Sequence, residues 1–240
     1  MAKNVLEHRF FAFRHAEAVT AEQMLYVRVD QYHSPYSMDR ARRLSPEGRG
    51  QALKLHDFLK DKKIMEAFAS PANRAYTTAA IAAGIPVGEV FVLESLIYGD
   101  STHSDETHFL NFLLDTGGDA LRAHRLTTLR RRGKPLEGAH VFDAWGKKAW
   151  TDLKTRAFKH RQGNFLVVGH GILLQELFRT AASHGVNRTN RAARDEAREV
   201  LLDVELQNAT GFCVHFEDKK LQSVTVFPEE GKNGEASAAA

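Results

Sequence analysis

Two histidines that follow short apolar runs are the residues of this chain whose type and position best suit chemistry. His15 lies two residues after one such run, and His170 lies two residues after another, about 150 positions later. A third run leads into a string that carries Arg74. In open α/β sheets the carboxyl ends of parallel strands meet at one edge, where ligands bind. Together with Arg14, these side chains predict a site for a phosphoryl group.

The pattern around these residues predicts alternating strands and helices. Short apolar runs indicate buried strands at 10–13, 67–69, 90–93, 165–168, 212–216 and 221–227. Four helices are expected. One begins after Ser45 as the N-terminal cap, with Pro46 as its first residue, and another ends at Gly84 as its C-terminal cap. Apolar residues at helical spacing indicate the other two, over 145–157 and 172–183. This alternation favours an α/β domain with a largely parallel sheet, closed by a hairpin that turns at 217–220.

Four strings in this order resemble the histidine phosphatase superfamily, the phosphoglycerate mutase-like fold. Arg14 to Glu17 resembles Arg-His-Gly-Glu, with Ala16 in place of the glycine; residues 70–79 resemble Ser-x-x-x-Arg-Ala-x-x-Thr-Ala; residues 169–171 read Gly-His-Gly; and residues 44–52 resemble Leu-Thr-x-x-Gly-x-x-Gln-Ala. The resemblance implies a three-layer αβα sandwich with a mainly parallel central sheet and an inserted helical cap.

The resemblance also implies roles for four of these residues. His15 would attack phosphorus and form a phosphohistidine, because neutral imidazole is nucleophilic and its ordinary pKa is about 6.5. Its other ring nitrogen then needs a hydrogen-bond acceptor, commonly a backbone carbonyl. Arg14, Arg74 and His170 would donate to the phosphoryl oxygens, and the planar forks of the arginines fit those oxygens in pairs.

A carboxylate is expected to deliver the proton that the leaving oxygen needs. Glu94 follows a predicted strand and precedes Tyr-Gly, as the family's glutamate does, and Asp100 and Glu17 compete for the role. Ser70 is expected to be the N-terminal cap of the helix that follows it, or else to hold the loop of Arg74. The methyl group of Ala16 is expected where the backbone passes close to the phosphate.

The resemblance implies one histidine-phosphatase-like domain over residues 1–228, with a cap inserted at about 95–140 and an unstructured tail at 229–240. The cap contains a basic run at 130–134, preceded by Arg122 and Arg125. Such a run is expected to be a solvated face. The alternatives are that it attracts a polyanionic substrate to the site or that it binds nucleic acid.

The expected function is that of a phosphomonoesterase acting on a small anionic phosphorylated metabolite. No cofactor is expected, and no metal either, because the chain lacks the clustered His, Asp and Glu spacing of metallophosphatases. Three alternatives stay open: a mutase that moves phosphate within one molecule, a phosphohistidine protein phosphatase, and a non-catalytic phosphate-binding protein.

Composition limits the class of protein. The net charge of +3 over 240 residues does not by itself indicate nucleic acid and suits an anionic substrate. The single cysteine, Cys213, is expected to be a small buried hydrophobe. No stretch approaches the roughly 18 apolar residues of a membrane span, and no signal peptide is evident, so a soluble cytoplasmic protein is predicted. The sequence leaves the oligomeric state open.

Overall fold

The computed structural model describes residues 5–24, 40–97, 139–184, 191–204 and 206–227. Several predicted features lie outside these ranges: the tail, the basic run 130–134, Asp100, and the cap apart from residues 95–97 and 139–140. Expectations about them, and the extent of the domain, stay predictions.

The described ranges contain six strands and five helices, which alternate from the first strand to the helix after the fourth strand as the sequence predicts. The strands are β1 Glu7–Arg14, β2 Ile64–Ala69, β3 Phe91–Val92, β4 Gly163–Gly169, β5 Gly211–Glu217 and β6 Lys220–Val226. The helices are α1 Pro46–Leu59, α2 Asn73–Ala83, α3 Ala139–Ala157, α4 Gly171–His184 and α5 Arg191–Asp203, with single helical turns at Ala21–Met24, Lys60–Lys62, Val87–Glu89 and Glu94–Leu96. None of the helices in these ranges is long and apolar enough to cross a bilayer.

The strands form one sheet in the order β3-β2-β4-β1-β5-β6. The first four are parallel, whereas β5 and β6 run antiparallel to their neighbours and form the predicted hairpin. Sequential strands that are not neighbours in the sheet are joined through helices, which is the connection that parallel strands require. The predicted α/β class with a mainly parallel sheet is confirmed.

Alternate residues of β1 point to opposite faces of the sheet, and both faces are covered. Phe10 belongs to a buried cluster with residues of α3, α4 and α5. Phe11 belongs to a second buried cluster, with residues of α1 and α2. A strand that is buried on both sides reads as a continuous apolar run, which is why 10–13 was recognisable in the sequence. The three layers hold the strand ends rigidly.

Local signals set several element boundaries. Ser45 caps α1 by accepting a hydrogen bond at 2.9 Å from the backbone N–H of Gly48. Gly84 ends α2 in the left-handed conformation, with φ of 68°. Asp218 and Lys219 form the two-residue turn of the hairpin, both with positive φ, as a type I′ turn requires.

Two elements differ from expectation. The strand expected at 90–93 has only two residues, because Val87–Glu89 forms a helical turn directly before it. Helix α5 was not predicted, since its mostly charged sequence buries few side chains, among them Ala197 and Leu201.

Cys213 is half-buried against the α1–α2 cluster, and burial raises the pKa of its thiol to about 11, which fits an unreactive packing role.

Candidate active site

The carboxyl ends of β1, β4 and β2 lie side by side, and the residues that follow them form the candidate site. Backbone pairing continues one residue past the strands. The backbone N–H of His15 donates to the carbonyl of Gly169 at 2.9 Å, and the backbone N–H of Ser70 donates to the carbonyl of Val168 at 3.0 Å. These hydrogen bonds place His15, Ser70 and His170 together at one edge of the sheet. The edge is the one that the sequence predicted.

The two ring nitrogens of His15 have different partners, and this fixes the tautomer. Arg74 Nε, which can only donate, lies 3.0 Å from His15 Nε2. Nε2 therefore carries the lone pair. Nδ1 carries the proton and donates it to the backbone oxygen of Ala16 at 2.8 Å. The acceptor that the sequence leaves unidentified is thus the carbonyl of the next residue.

Burial and neighbouring cations keep the imidazole of His15 neutral. Desolvation is the largest cause, followed by the charge of Arg74 and then those of Arg14 and Arg42; against the opposing hydrogen bond to Ala16, they lower the pKa of His15 to about 3. At any pH well above that value the ring is unprotonated. Its Nε2 lone pair can then act as a nucleophile once a bound phosphoryl group takes the place of Arg74 Nε in front of it.

His170 lies edge-on to His15, with ring centroids 5.2 Å apart and planes at 72°. Burial lowers the pKa of His170 well below its ordinary value, and the neighbouring His15 ring and the charges of Arg74 and Arg14 act in the same direction. His170 is therefore also neutral. It retains one ring N–H with which it can donate to a bound anion.

Ser70 orients His170, and the expectation that it is the N-terminal cap of α2 is wrong. The cap position is occupied by Ala72, which makes no side-chain capping bond. The Ser70 hydroxyl shares a hydrogen bond of 3.0 Å with His170 Nε2 and accepts one of 3.3 Å from the backbone N–H of Ala72. It links the β2–α2 turn to the β4–α4 turn.

Arg14 and Arg74 reach the site from different elements. Arg14 is the last residue of β1, and its guanidinium donates at 2.8 Å to the carbonyl of Leu206, in the loop before β5. Arg74 lies in the first turn of α2, and its side chain is buried. Each guanidinium is thus held by the fold beside His15, where it can bind the oxygens of a phosphoryl group.

Arg42 is a third arginine of this site, and the sequence analysis missed it. Its charge contributes to the lowered pKa of His15, and its Nε donates to the carbonyl of Val19 at 2.7 Å. The position follows from backbone pairing between Val19 and Arg43, whose hydrogen bond measures 2.9 Å. The one signal in the sequence is that Arg42 lies two residues before the Leu-Ser-Pro helix start.

Glu94 reaches the same edge from β3, because the backbone of Leu93 donates to the carbonyl of Ala69 at 2.9 Å. Its side chain is 59% exposed, and both carboxylate oxygens accept from one Arg40 nitrogen, at 3.2 and 3.0 Å. Arg40 is a further residue that sequence reasoning did not single out.

Glu17, the competing carboxylate within the described ranges, is engaged elsewhere. Its Oε1 accepts at 2.9 Å from the hydroxyl of Ser45, and its backbone N–H donates to the side chain of Gln51 at 2.9 Å. A Cβ added to Gly48 would lie 1.9 Å from the Glu17 carbonyl oxygen, so α1 packs directly on this residue. The helix-start string therefore serves to hold the segment that follows His15.

The site itself is a poor one for a metal cation, because arginine charges surround His15. Among the described residues, the cluster suited to hold a metal is formed by Glu7, His215 and Glu217, whose ligand atoms lie within 4.8 Å of one another. Glu7 begins β1, whereas His15 follows its end, so this cluster lies toward the opposite edge of the sheet.

A sequence profile of the histidine phosphatase superfamily (branch 1) matches residues 12–211, which include Arg14, His15, Arg74, Glu94 and His170. The chain belongs to this superfamily. The sequence matches no curated protein.

Several solved structures share the fold of this chain. A phosphoglycerate mutase from Bacillus anthracis str. Sterne has a TM-score of 0.56 at 14% identity, covering 93% of this chain and 94% of its own. A phosphoserine phosphatase from Entamoeba histolytica, in complex with 3-phosphoglyceric acid, has 0.53 at 19%, covering 92% and 98%. A putative alpha-ribazole-5'-P phosphatase from Escherichia coli has 0.53 at 17%, covering 92% and 97%.

Ala16, which stands where the superfamily motif has glycine, is fully buried and packs in a cluster with Leu44 and Ala52, beside α1. How closely its methyl group approaches a bound phosphate stays a prediction. The substitution fills space between β1 and α1.

Proposed function

We propose that this protein is a phosphomonoesterase that acts through a phosphohistidine on His15. The observation that carries the proposal is the state of that ring, which is neutral and carries its lone pair on Nε2, beside Arg74. A phosphoryl group bound to the guanidinium of Arg74 would present its phosphorus atom to this nitrogen. Catalysis of phosphoryl transfer consists mostly of such positioning and of charge stabilisation.

Two steps complete the proposed reaction. In the first, the Nε2 lone pair of His15 forms a bond to phosphorus and the ester P–O bond breaks, while Arg14, Arg74 and His170 donate to the non-bridging oxygens. Glu94 gives the leaving oxygen its proton. In the second, water attacks phosphorus and passes a proton to Glu94, the N–P bond breaks, and inorganic phosphate leaves with His15 restored.

The proposed acid must change partners to act. Both carboxylate oxygens of Glu94 accept from Arg40, so Glu94 must break this contact and take up a proton from solvent before it can give one to the leaving oxygen. The contact is exposed, with side-chain accessibilities of 38% for Arg40 and 59% for Glu94. Exposed ion pairs contribute little free energy, and opening this one costs roughly 1 kcal/mol or less.

The proposed substrate is a small anionic phosphorylated metabolite. Three arginines act on one buried ring, which supports a ligand with substantial negative charge. The phosphoserine and alpha-ribazole-5'-P phosphatases that share the fold are named for small phosphorylated molecules. The basic run 130–134 would extend this preference if the cap covers the site.

A mutase is the second candidate, because the Bacillus anthracis phosphoglycerate mutase shares the fold over most of both chains. Product analysis separates the two reactions. A phosphatase releases inorganic phosphate from a phosphoglycerate, whereas a mutase returns the phosphoryl group to another oxygen of the same molecule.

Replacing His15 with alanine is the decisive test of the proposal. We expect kcat/KM for p-nitrophenyl phosphate to fall by roughly 10⁴-fold or more, because the covalent route is removed. Rapid quenching of the wild type with a radiolabelled phosphoester should leave label on His15, and turnover should be the same with a chelator present. His8→Gln, which changes a buried histidine at the opposite edge, is the matched control and should keep wild-type turnover.

Either of two results would contradict the mechanism. Turnover that persists in His15→Ala would place the nucleophile elsewhere. Loss of wild-type turnover on addition of the chelator would show that the reaction needs a metal.

A further inference from the structure

Four hydrogen bonds join His15, Ala16, Arg74 and Thr78 in a closed circuit. His15 Nδ1 donates to the Ala16 carbonyl at 2.8 Å, and the Ala16 N–H donates to Thr78 Oγ1 at 3.1 Å. The Thr78 hydroxyl donates to the Arg74 carbonyl at 2.6 Å, and Arg74 Nε donates back to His15 Nε2 at 3.0 Å. Each donor meets one acceptor, so the circuit is complete.

Thr78 is the one member of this circuit that is neither a proposed phosphoryl-binding residue nor next to one in the sequence. Its side chain is fully buried, and it lies one helical turn after Arg74, on the same face of α2. The hydroxyl of Thr78 has a single proton, which it donates in the hydrogen bond to the Arg74 carbonyl. The hydroxyl oxygen therefore acts as the acceptor for the Ala16 N–H. Thr78 thus ties the end of β1 to the start of α2.

We propose that Thr78 is a positioning residue that fixes the nucleophile His15 and the phosphate-binding Arg74 relative to each other. The proposal rests on the proposed function in that it takes His15 as the nucleophile. The four hydrogen bonds do not depend on that function. Without the hydroxyl, the Ala16 N–H loses its acceptor inside the protein, and the backbone beside His15 must shift to find another. That shift moves the His15 ring away from its position opposite Arg74, which stays in α2.

Thr78→Val is the variant that tests this, because valine keeps the branched shape and removes only the hydrogen bonds. A misplacement of about 1 Å can lower a rate by about 10²-fold, so we expect kcat to fall by roughly 10- to 100-fold. Thr78→Ser keeps the hydroxyl and should restore kcat to within about threefold of the wild type. Thr77→Val is the matched control, since the hydroxyl of Thr77 donates to Asn73 Oδ1 at 3.0 Å, outside the circuit, and its loss should leave kcat unchanged.

Nitrogen NMR of the His15 ring supplies a readout that does not depend on turnover. In the wild type, His15 should be the Nδ1–H tautomer with its pKa far below the ordinary value. In Thr78→Val the pKa should rise, because the shifted ring lies farther from the charge of Arg74. Arg14, Arg42 and His170 also face His15, and they are unchanged in the variant.

The outcomes separate this inference from the proposed function. If the wild type forms no phosphohistidine but the His15 resonances move in Thr78→Val, the reaction is wrong and the circuit stands. If Thr78→Val melts at a lower temperature while kcat and the His15 resonances match the wild type, Thr78 is a packing residue and the inference fails. Should the valine variant not fold, Thr78→Ala removes the same hydroxyl without adding a methyl group and is read by the same criteria.

Discussion

The two edges of the central sheet contain the same residue types in different arrangements. At the carboxyl edge, both ring nitrogens of His15 have polar partners, and one partner is a guanidinium. At the amino edge, His8 lies between the rings of Phe158 and Phe165, with centroids 4.7 and 6.1 Å away. Its Nε2 donates to a carbonyl at 3.0 Å, and its buried Nδ1 has no hydrogen-bond partner in the part of the chain that the structure describes.

Burial lowers the pKa of His8 as it lowers that of His15, so both rings are neutral. A buried neutral histidine is therefore not by itself a reactive group. The lone pair of His8 faces the apolar interior, whereas the lone pair of His15 faces a cation that can bind an anionic substrate. The partner of the lone pair, rather than the pKa, separates the two.

Each edge also has a glutamate paired with an arginine. At the amino edge, Arg156 donates to Glu66 at 2.8 Å and lies over the ring of Phe91, at 4.4 Å from its centroid, so the pair braces α3 against β2. Glu66 is 13% exposed there, whereas Glu94 at the carboxyl edge is 59% exposed in its pair with Arg40. The largely buried carboxylate of Glu66 suits a brace, and the exposed carboxylate of Glu94 suits a group that changes partners.

The largest effect expected from this comparison is on the proposed acid. Glu94→Gln should lower kcat for an alkyl phosphate by roughly 10²- to 10⁴-fold, because an alkoxide leaves poorly without a proton. The loss should be much smaller for p-nitrophenyl phosphate, whose leaving group is stable as an anion. Glu66→Gln is the control and should leave both rates unchanged. Equal losses on the two substrates would mean that Glu94 does not act as the acid.

The next largest effect concerns one arginine at each edge, Arg74 at the carboxyl edge and Arg156 at the amino edge. Arg74→Lys should lower kcat/KM by roughly 10²- to 10³-fold, since lysine keeps the charge but loses the planar fork that holds both His15 and phosphoryl oxygens. Arg156→Lys makes the same change at the amino edge and should keep wild-type kinetics. Steady-state kinetics of the two variants, with phosphate as a competitive inhibitor, measures the difference. If Arg74→Lys keeps wild-type kcat/KM, the fork is not needed.

The positions of the site residues were predictable because each follows a recognisable strand end. Apolar runs marked β1 and β4 with their histidines, and Ser45 with Pro46 marked the start of α1. These are local signals: a strand buried on both faces, a side-chain cap, and a proline at the first helical turn.

The contacts between those residues could not be read from the sequence. Ser70 lies 100 positions from its partner His170, and Thr78 lies 62 positions from Ala16, so their hydrogen bonds depend on how the strands are ordered in the sheet. Ser70 was accordingly assigned to a local cap. Arg42 was missed for the same reason, because backbone pairing between two loops brings it to the site.

The smallest effect expected is on the free energy of unfolding, which depends on pH through the buried histidines. The folded-state pKa of His8 lies below the ordinary value of about 6.5, so below that pH the unfolded chain binds a proton that the folded chain does not. The free energy of unfolding is therefore highest above about pH 6.5 and falls as the pH drops toward the folded pKa. The fall is at most about 1.4 kcal/mol per pH unit for each such histidine. His15 and His170 act in the same direction.

His8→Gln removes one of these three contributions, while its amide can still donate to the carbonyl that His8 Nε2 contacts. The free energy of unfolding, measured by urea denaturation from about pH 8 to pH 4.5, should therefore fall less steeply below pH 6.5 in the variant than in the wild type. Above pH 7 the two curves should run parallel, and turnover at pH 7 should be the same. Identical slopes below pH 6.5 would mean that His8 is protonated as easily in the folded protein as in the unfolded chain, and the contrast between the edges would then lie in their chemistry and not in burial.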